Sequence, residues 1–222
     1  MNQKKKKRTA YMRLHFLLAG LIRFFMRVHV HGRENVPKEG GAIVCANHLS
    51  LSDPVTIAAA FPRQLSFLAK AELFNVPVLK HLIRALGARP LDRRGDVSAI
   101  KKSTALVKEG QLLLIFPQGT RRKGQNPADT PFKNGAGTIA VHADVPMIPV
   151  CIKMKKMRWC FLRRIDIIIG KPIPLTAPEC ENETASESAA RATKCVMQEL
   201  YTLGGWQETG ADAPQGSDKE VP

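Results

Sequence analysis

The stretch Cys45 to Pro54, CANHLSLSDP, places one histidine, His48, and one carboxylate, Asp53, five positions apart, straight after an apolar run and just before a proline. An imidazole held by a carboxylate is the arrangement of a general base. The carboxylate selects the tautomer and stabilises the imidazolium, and the other ring nitrogen takes a proton from a hydroxyl. On a continuous helix, five residues would set the two side chains about 140° apart, so they meet only if Leu49 to Ser52 form a turn. No serine or cysteine is placed as a nucleophile, so the proton donor would be a substrate alcohol. The same residues have a plainer reading, in which Asp53 is an N-cap and Pro54 the first helical residue.

A second constellation is LLLIFPQGTRR, Leu112 to Arg122, where an apolar strand runs into a tight turn that exposes backbone amides, Thr120 and two guanidiniums. Arginine offers a planar fork to phosphate oxygens, so the segment suits a phosphate. A third, GARPLDRR, sets Arg93 and Arg94 behind a short extended run. Against both stands the ordinary alternative of arginines solvated at a sheet edge.

The elements that must position these groups alternate along the chain. Strands are expected at 42–46, 65–69, 112–116, 147–152 and 165–170, and helices near 54–60, 77–85, 97–108, 135–143 and 184–202. That order predicts an α/β fold, a mixed and largely parallel sheet covered by helices. In such sheets ligands bind outside the carboxyl ends of the strands, which is where His48 and the 117–122 turn fall.

The first 33 residues carry nine cations (Lys4 to Lys7, Arg8, Arg13, Arg23, Arg27, Arg33) and no acid, within a chain of 222 residues and net charge +15. The apolar stretch beside them is broken by Arg23 and Arg27 after about seven residues, short of the about 20 that cross a bilayer. At 100° per residue, Arg13, Gly20, Arg23, Arg27 and His31 share one sector, with Leu14, Leu18, Leu21, Ile22 and Phe25 opposite. This is a basic amphipathic helix that would either lie in an anionic headgroup layer or pack on the domain's own core. Few aromatics interleave with the basic residues, which disfavours nucleic acid. Five cysteines without metal-ligand spacing fit a reduced compartment. The expected organisation is a membrane-associating segment over 1–29, one catalytic domain over 30–202, and a polar, disordered tail over 203–222.

The segments NHLSLSD, LDRR, FPQGTRR and VPMIPV resemble, in order and spacing, the four motif blocks of the glycerolipid acyltransferase family, which includes 1-acylglycerol-3-phosphate acyltransferases. The match runs over about residues 30 to 175. The resemblance implies acyl transfer from acyl-CoA or acyl carrier protein to a glycerol hydroxyl, with no metal or organic cofactor, and the expected reaction is acylation of the sn-2 hydroxyl of a lysophospholipid, lysophosphatidic acid, to give phosphatidic acid. With the basic amino-terminal segment, the expected place is the cytoplasmic face of an anionic membrane, with no nucleic acid as partner. It makes His48 the base and Asp53 its orienting partner. It gives Arg93 and Arg121 to the acceptor's phosphate, with Gly119 and Thr120 shaping the loop, and VPMIPV to the acyl-donor side. In FKNGAGTIA, Gly135 and Gly137 are expected to permit close packing near a helix start. The sequence departs from the family at Gln118, where the third block usually has glutamate, and at Pro90, where an apolar residue is general. The same motifs would permit another lysophospholipid or glycerol 3-phosphate as acceptor, and the charge lost at Gln118 admits a catalytically silent lipid-binding protein.

Overall fold

The computed structural model describes residues 17–91, 96–121, 124–154, 164–175 and 183–208. The basic cluster at 4–8, Arg93, Arg94, Arg122 and most of the expected tail lie outside them.

Seven strands form one mixed sheet: β1 (Val28–His31), β2 (Ala42–Ala46), β3 (Leu65–Lys70), β4 (Ala88–Leu91), β5 (Leu112–Ile115), β6 (Met147–Met154) and β7 (Ile165–Ile169). Their order is β1-β7-β6-β2-β5-β3-β4. Neighbours run parallel except the β6/β7 pair. β2 lies between β5 and β6 and is buried along its whole length, as its AIVCA sequence requires: a strand covered on both faces reads as a continuous apolar run. β7 instead alternates, with Ile165, Ile167 and Ile169 buried and Asp166 and Ile168 only partly so.

Helices cover both faces. On one lie α1 (17–25), α2 (Asp53–Ala60) and α3 (Pro77–Ala85); on the other α4 (Asp96–Lys108), α5 (Gly135–Ala143) and α6 (Ala185–Gly204). Strand residues divide between the two cores by their period of two. Ala42, Val44 and Ala46 join Ile57, Phe61 and Ile83 on the first, while Ile43 and Cys45 join Ile139, Val196 and Leu200 on the second.

Two expectations about the amino-terminal region need correction. The basic helix does not continue to His31. It ends at residue 25, Arg27 takes a left-handed φ of 46°, and His31 lies in β1, hydrogen-bonded in register with β7. Val28 and Val30 sit against β7 and the first core, so this β-branched pair gains more from sheet pairing than from another helical turn. The supposed single apolar side of the helix is also split. Leu18, Ile22 and Met26 pack on the core, whereas Leu17, Leu21, Phe24 and Phe25 are exposed.

In α5, only one of two glycines makes a close approach. A Cβ on Gly137 would lie 2.0 Å from the Ala189 carbonyl oxygen of α6, but one on Gly135 would meet nothing within 4 Å. Gly137 also donates its backbone N–H to Thr193 Oγ1 at 3.1 Å, so of the two glycines it is Gly137 that lets α5 and α6 approach closely.

Candidate active site

β2 ends at Ala46, and the next two residues leave the sheet under side-chain control. Asn47 is fully buried; its Oδ1 accepts from the Ile152 N–H at 2.8 Å, and its Nδ2 donates to the Ile152 carbonyl at 3.0 Å. One side-chain amide thus replaces the backbone pair that β2 would have offered β6. On the other flank the β2/β5 register, Cys45 opposite Ile115, extrapolates to His48 opposite Gln118. There the His48 N–H donates to Gln118 Oε1 at 3.1 Å. His48 is therefore held at a strand end whose backbone groups remain satisfied.

The turn from Leu49 to Ser52 then brings Asp53 back. Its Oδ2 accepts from His48 Nδ1 at 2.9 Å, from the Leu49 N–H at 2.6 Å and from the Ser50 N–H at 2.7 Å. Asp53 is not the helix cap expected from sequence. Ser52 occupies the N-cap position without a side-chain cap bond, and Asp53 is the first residue of α2, its carboxylate turned to the preceding turn rather than to the helix's own amides. An acid in the first helical turn remains favourable to the helix dipole. Since an oxygen that takes two backbone N–H bonds acts as an acceptor, the third bond places the proton on Nδ1 and leaves His48 Nε2 as the basic nitrogen. The ring stacks on Phe116 with centroids 4.1 Å apart and planes 20° apart. The His48 side chain is 17 % exposed and that of Asp53 only 3 %, so the imidazole is reachable and the carboxylate enclosed.

The third-block turn follows from its own residues. Gly119 donates its N–H to the Phe116 carbonyl at 2.9 Å, closing a turn with proline second and glycine fourth, and Gly119 adopts a φ of 70°. The turn tucks Gln118 inward and leaves Thr120 and Arg121 exposed. Gln118 Nε2 donates to Thr130 Oγ1 and, at 3.5 Å, to the Pro127 carbonyl. Lys133 binds the Pro117 carbonyl through its N–H at 2.9 Å, and its side chain passes near Gly119.

The structure thus pairs His48 with Asp53, joins the His48 backbone to Gln118, and sets Gly119, Thr120 and Arg121 at the same carboxyl edge of parallel β2 and β5. Arg93 lies outside the described residues. Asn47, Phe116, Thr130 and Lys133 were not singled out from the sequence. Only an asparagine and a phenylalanine at strand ends hinted at the first two, and nothing local marked Thr130 as a partner of Gln118. Cys45 is not a competing nucleophile: it belongs to the second core, away from the ring, and complete burial pushes its thiol far above the ordinary range. Among the described residues, no group of three or more His, Cys, Asp or Glu is placed to hold a metal ion. Chemically, the arrangement is a carboxylate-oriented imidazole beside an exposed glycine turn that carries a guanidinium.

Comparison with known proteins agrees with that chemistry. The acyltransferase family model matches residues 27–153. The 1-acyl-sn-glycerol-3-phosphate acyltransferase of Bacillus subtilis (strain 168) is 31% identical over 180 residues, covering 79% of this chain and 87% of its own. That of Streptococcus pneumoniae is 32% identical over 178 residues, 78% of this chain and 65% of its own. The crystal structure of the 1-acyl-sn-glycerophosphate acyltransferase PlsC from Thermotoga maritima superposes with a TM-score of 0.68 at 27% identity, covering 92% of this chain and 84% of that one. With a mixed, mostly parallel sheet, a paired His48 and Asp53 and these relatives, the chain belongs to the glycerolipid acyltransferase family and is an acyltransferase.

Proposed function

We propose that the protein transfers a fatty acyl group from an acyl thioester, acyl-CoA or acyl carrier protein, to the sn-2 hydroxyl of 1-acylglycerol 3-phosphate, making phosphatidic acid for phospholipid synthesis. The observation that carries this reading is the His48–Asp53 pair at the carboxyl edge of β2, with Nδ1 tied to the carboxylate at 2.9 Å. His48 Nε2 removes the hydroxyl proton as the oxygen attacks the thioester carbonyl. The tetrahedral adduct expels the thiolate, which takes the proton back from the imidazolium. Base catalysis of this kind supplies about 10²- to 10⁴-fold, and positioning supplies much of the remainder. No acyl-enzyme is required.

Arg121, with Arg93, is assigned to the acceptor's phosphate, and Gly119 and Thr120 to the shape of the loop that receives it. The relatives bearing this activity by name support the choice of acceptor. The site is assigned to the cytoplasmic membrane face. Among the described residues no helix is long and apolar enough to cross a membrane, but α1 exposes Leu17, Leu21, Phe24 and Phe25, and Leu51 stands exposed in the turn between His48 and Asp53. An apolar ridge beside a strongly basic segment suits attachment to an anionic surface.

The test is turnover of the purified full chain with both acyl donors across lysophosphatidic acid, glycerol 3-phosphate and lysolipids whose phosphate is esterified. Preference for lysophosphatidic acid is expected, and Arg121→Lys should raise the KM for that acceptor more than for the donor, because an ammonium cannot make a two-pronged contact. Turnover confined to an acceptor without a phosphate monoester would refute the assignment.

A further inference from the structure

We propose that Gln118 and Thr130 form a neutral strut that positions His48, so that in this chain an amide, where the family usually carries a carboxylate, sets the aim of the base. The inference deepens the acyl-transfer reading and rests on His48 being its base.

The direction of the amide is dictated by its neighbours. The His48 N–H can only donate and the Pro127 carbonyl can only accept, so Oε1 must face His48 and Nε2 must face Pro127. Thr130 gives its hydroxyl proton to the same Pro127 carbonyl at 2.7 Å, which leaves its oxygen free to accept from Nε2. Every donor then has an acceptor. Glutamate in this place would set a carboxylate oxygen against the Pro127 carbonyl and would need Thr130 to withdraw its proton from that carbonyl.

Burial makes the matching consequential. Gln118 is 5 % and Thr130 6 % exposed, so a group that loses its partner there is left without solvent to replace it. The location links the strut to chemistry. It grips the backbone of His48 at the point where β2 has left its ladder with β5, while Asp53 grips the ring. Among the described residues, Asp53 makes an ion-pair contact with that ring, and Phe116 covers one of its faces. A second carboxylate beside the imidazole would favour its protonated form, which cannot act as a base. Gln118 is thus a positioning residue, acting through His48.

The experiment measures kcat, acceptor KM and the pH dependence of kcat/KM for the full chain, using 1-oleoylglycerol 3-phosphate and whichever of oleoyl-CoA and oleoyl acyl carrier protein supports turnover. Gln118→Met should lower kcat about 10- to 100-fold with little change in KM, since misaiming a bound base affects turnover rather than binding. Thr130→Val should act in the same direction, and the double variant should lose no more than Gln118→Met alone, as expected when two groups work as one unit. Gln118→Glu should move the acidic limb of the profile about one pH unit upward. If Gln118→Met fails to fold, Thr130→Val and the Gln118→Glu profile decide. Folded variants with native kcat and an unmoved profile overturn the strut. A His48→Ala control separates the two levels of inference: if it retains turnover, the base assignment falls and the strut with it. If it is inactive while the strut variants turn over normally, only the strut falls.

Discussion

Asp53 carries two duties on one oxygen, holding the His48 ring and closing the 49–52 turn through the Leu49 and Ser50 amides. The duties can be separated. His48→Ala removes the imidazole without touching that turn and should lower acyl transfer by at least about 10²-fold while leaving the circular dichroism spectrum unchanged; near-normal turnover would make His48 structural. Asp53→Asn keeps an acceptor for the two amides but no charge to stabilise the imidazolium. Turnover should fall about 10- to 10³-fold with a loss of only about 1 kcal/mol in chemical denaturation. The sequence made this pair legible because both residue types and the intervening turn are local. It suggested a capping role for Asp53 because proline follows, and it could not reveal that the carboxylate faces backward. Gln118 was legible only as a departure from a motif. Its bond to His48 joins residues 70 apart and exists only once β2 and β5 are in register.

At the scale of elements, the α5/α6 contact and the start of α6 invite direct tests. Gly137→Ala should cost about 1–3 kcal/mol, since its methyl group would overlap the Ala189 carbonyl. Gly135→Ala, into open space, should be neutral or slightly stabilising. Equal losses at both positions in urea titrations would contradict the packing described. α6 opens with a capping box in which Thr184 accepts from the Glu187 N–H and the Glu187 carboxylate accepts from the Thr184 N–H at 2.8 Å. That backbone bond, followed by the one from the Thr184 hydroxyl, holds the Glu187 pKa below its ordinary 4.5. A depressed folded value means that the stabilisation is present above 4.5 and is lost as the pH falls through the lowered value. Amide exchange in the first turn of α6 should therefore accelerate in that acidic window, and Glu187→Gln should abolish the dependence. Exchange in the native protein that ignores pH there, after correction for intrinsic rates, would count against the capping box.

For the whole molecule, the exposed apolar ridge of α1 and the charge of +15 predict a surface that meets anionic lipid. Phe24 and Phe25 are 78% and 65% exposed, so replacing both with serine should leave folding intact. Each phenylalanine buried in lipid contributes about 1.5 kcal/mol or more, and losing two should weaken binding to phosphatidylglycerol vesicles by roughly 100-fold. Added salt should weaken native binding as well. Vesicle sedimentation indifferent to both changes would remove α1 from the attachment surface. Met26 of the α1 exit lies 3.8 Å from Thr56 of α2, so lipid contact through α1 would bring the helix that begins at Asp53 toward the bilayer.

What this sequence determined alone is what short-range chemistry determines. The apolar runs expected as strands at 42–46, 65–69, 112–116, 147–152 and 165–170 hold β2, β3, β5, β6 and β7, with Phe116 and Gly170 just beyond the strand ends, because their β-branched and aliphatic density suits a doubly covered sheet. His48 and Asp53 lie close enough in the chain for a local turn over Leu49 to Ser52 to bring them together, as it does. The tertiary structure decided everything that depends on partners distant in the chain. Val28 to His31, read as the end of a basic helix, became an edge strand because β7, more than 130 residues later, offered it a ladder. A Cβ has no room at Gly137 and open space at Gly135 because only Gly137 meets α6. Asn47 and Gln118 hold the chain at His48 from two sides because β6 and β5 lie on either flank of β2. Hydrogen bonds and van der Waals contact act over a few ångströms, so which residues they join is set by strand order and register, quantities that local sequence pattern does not contain.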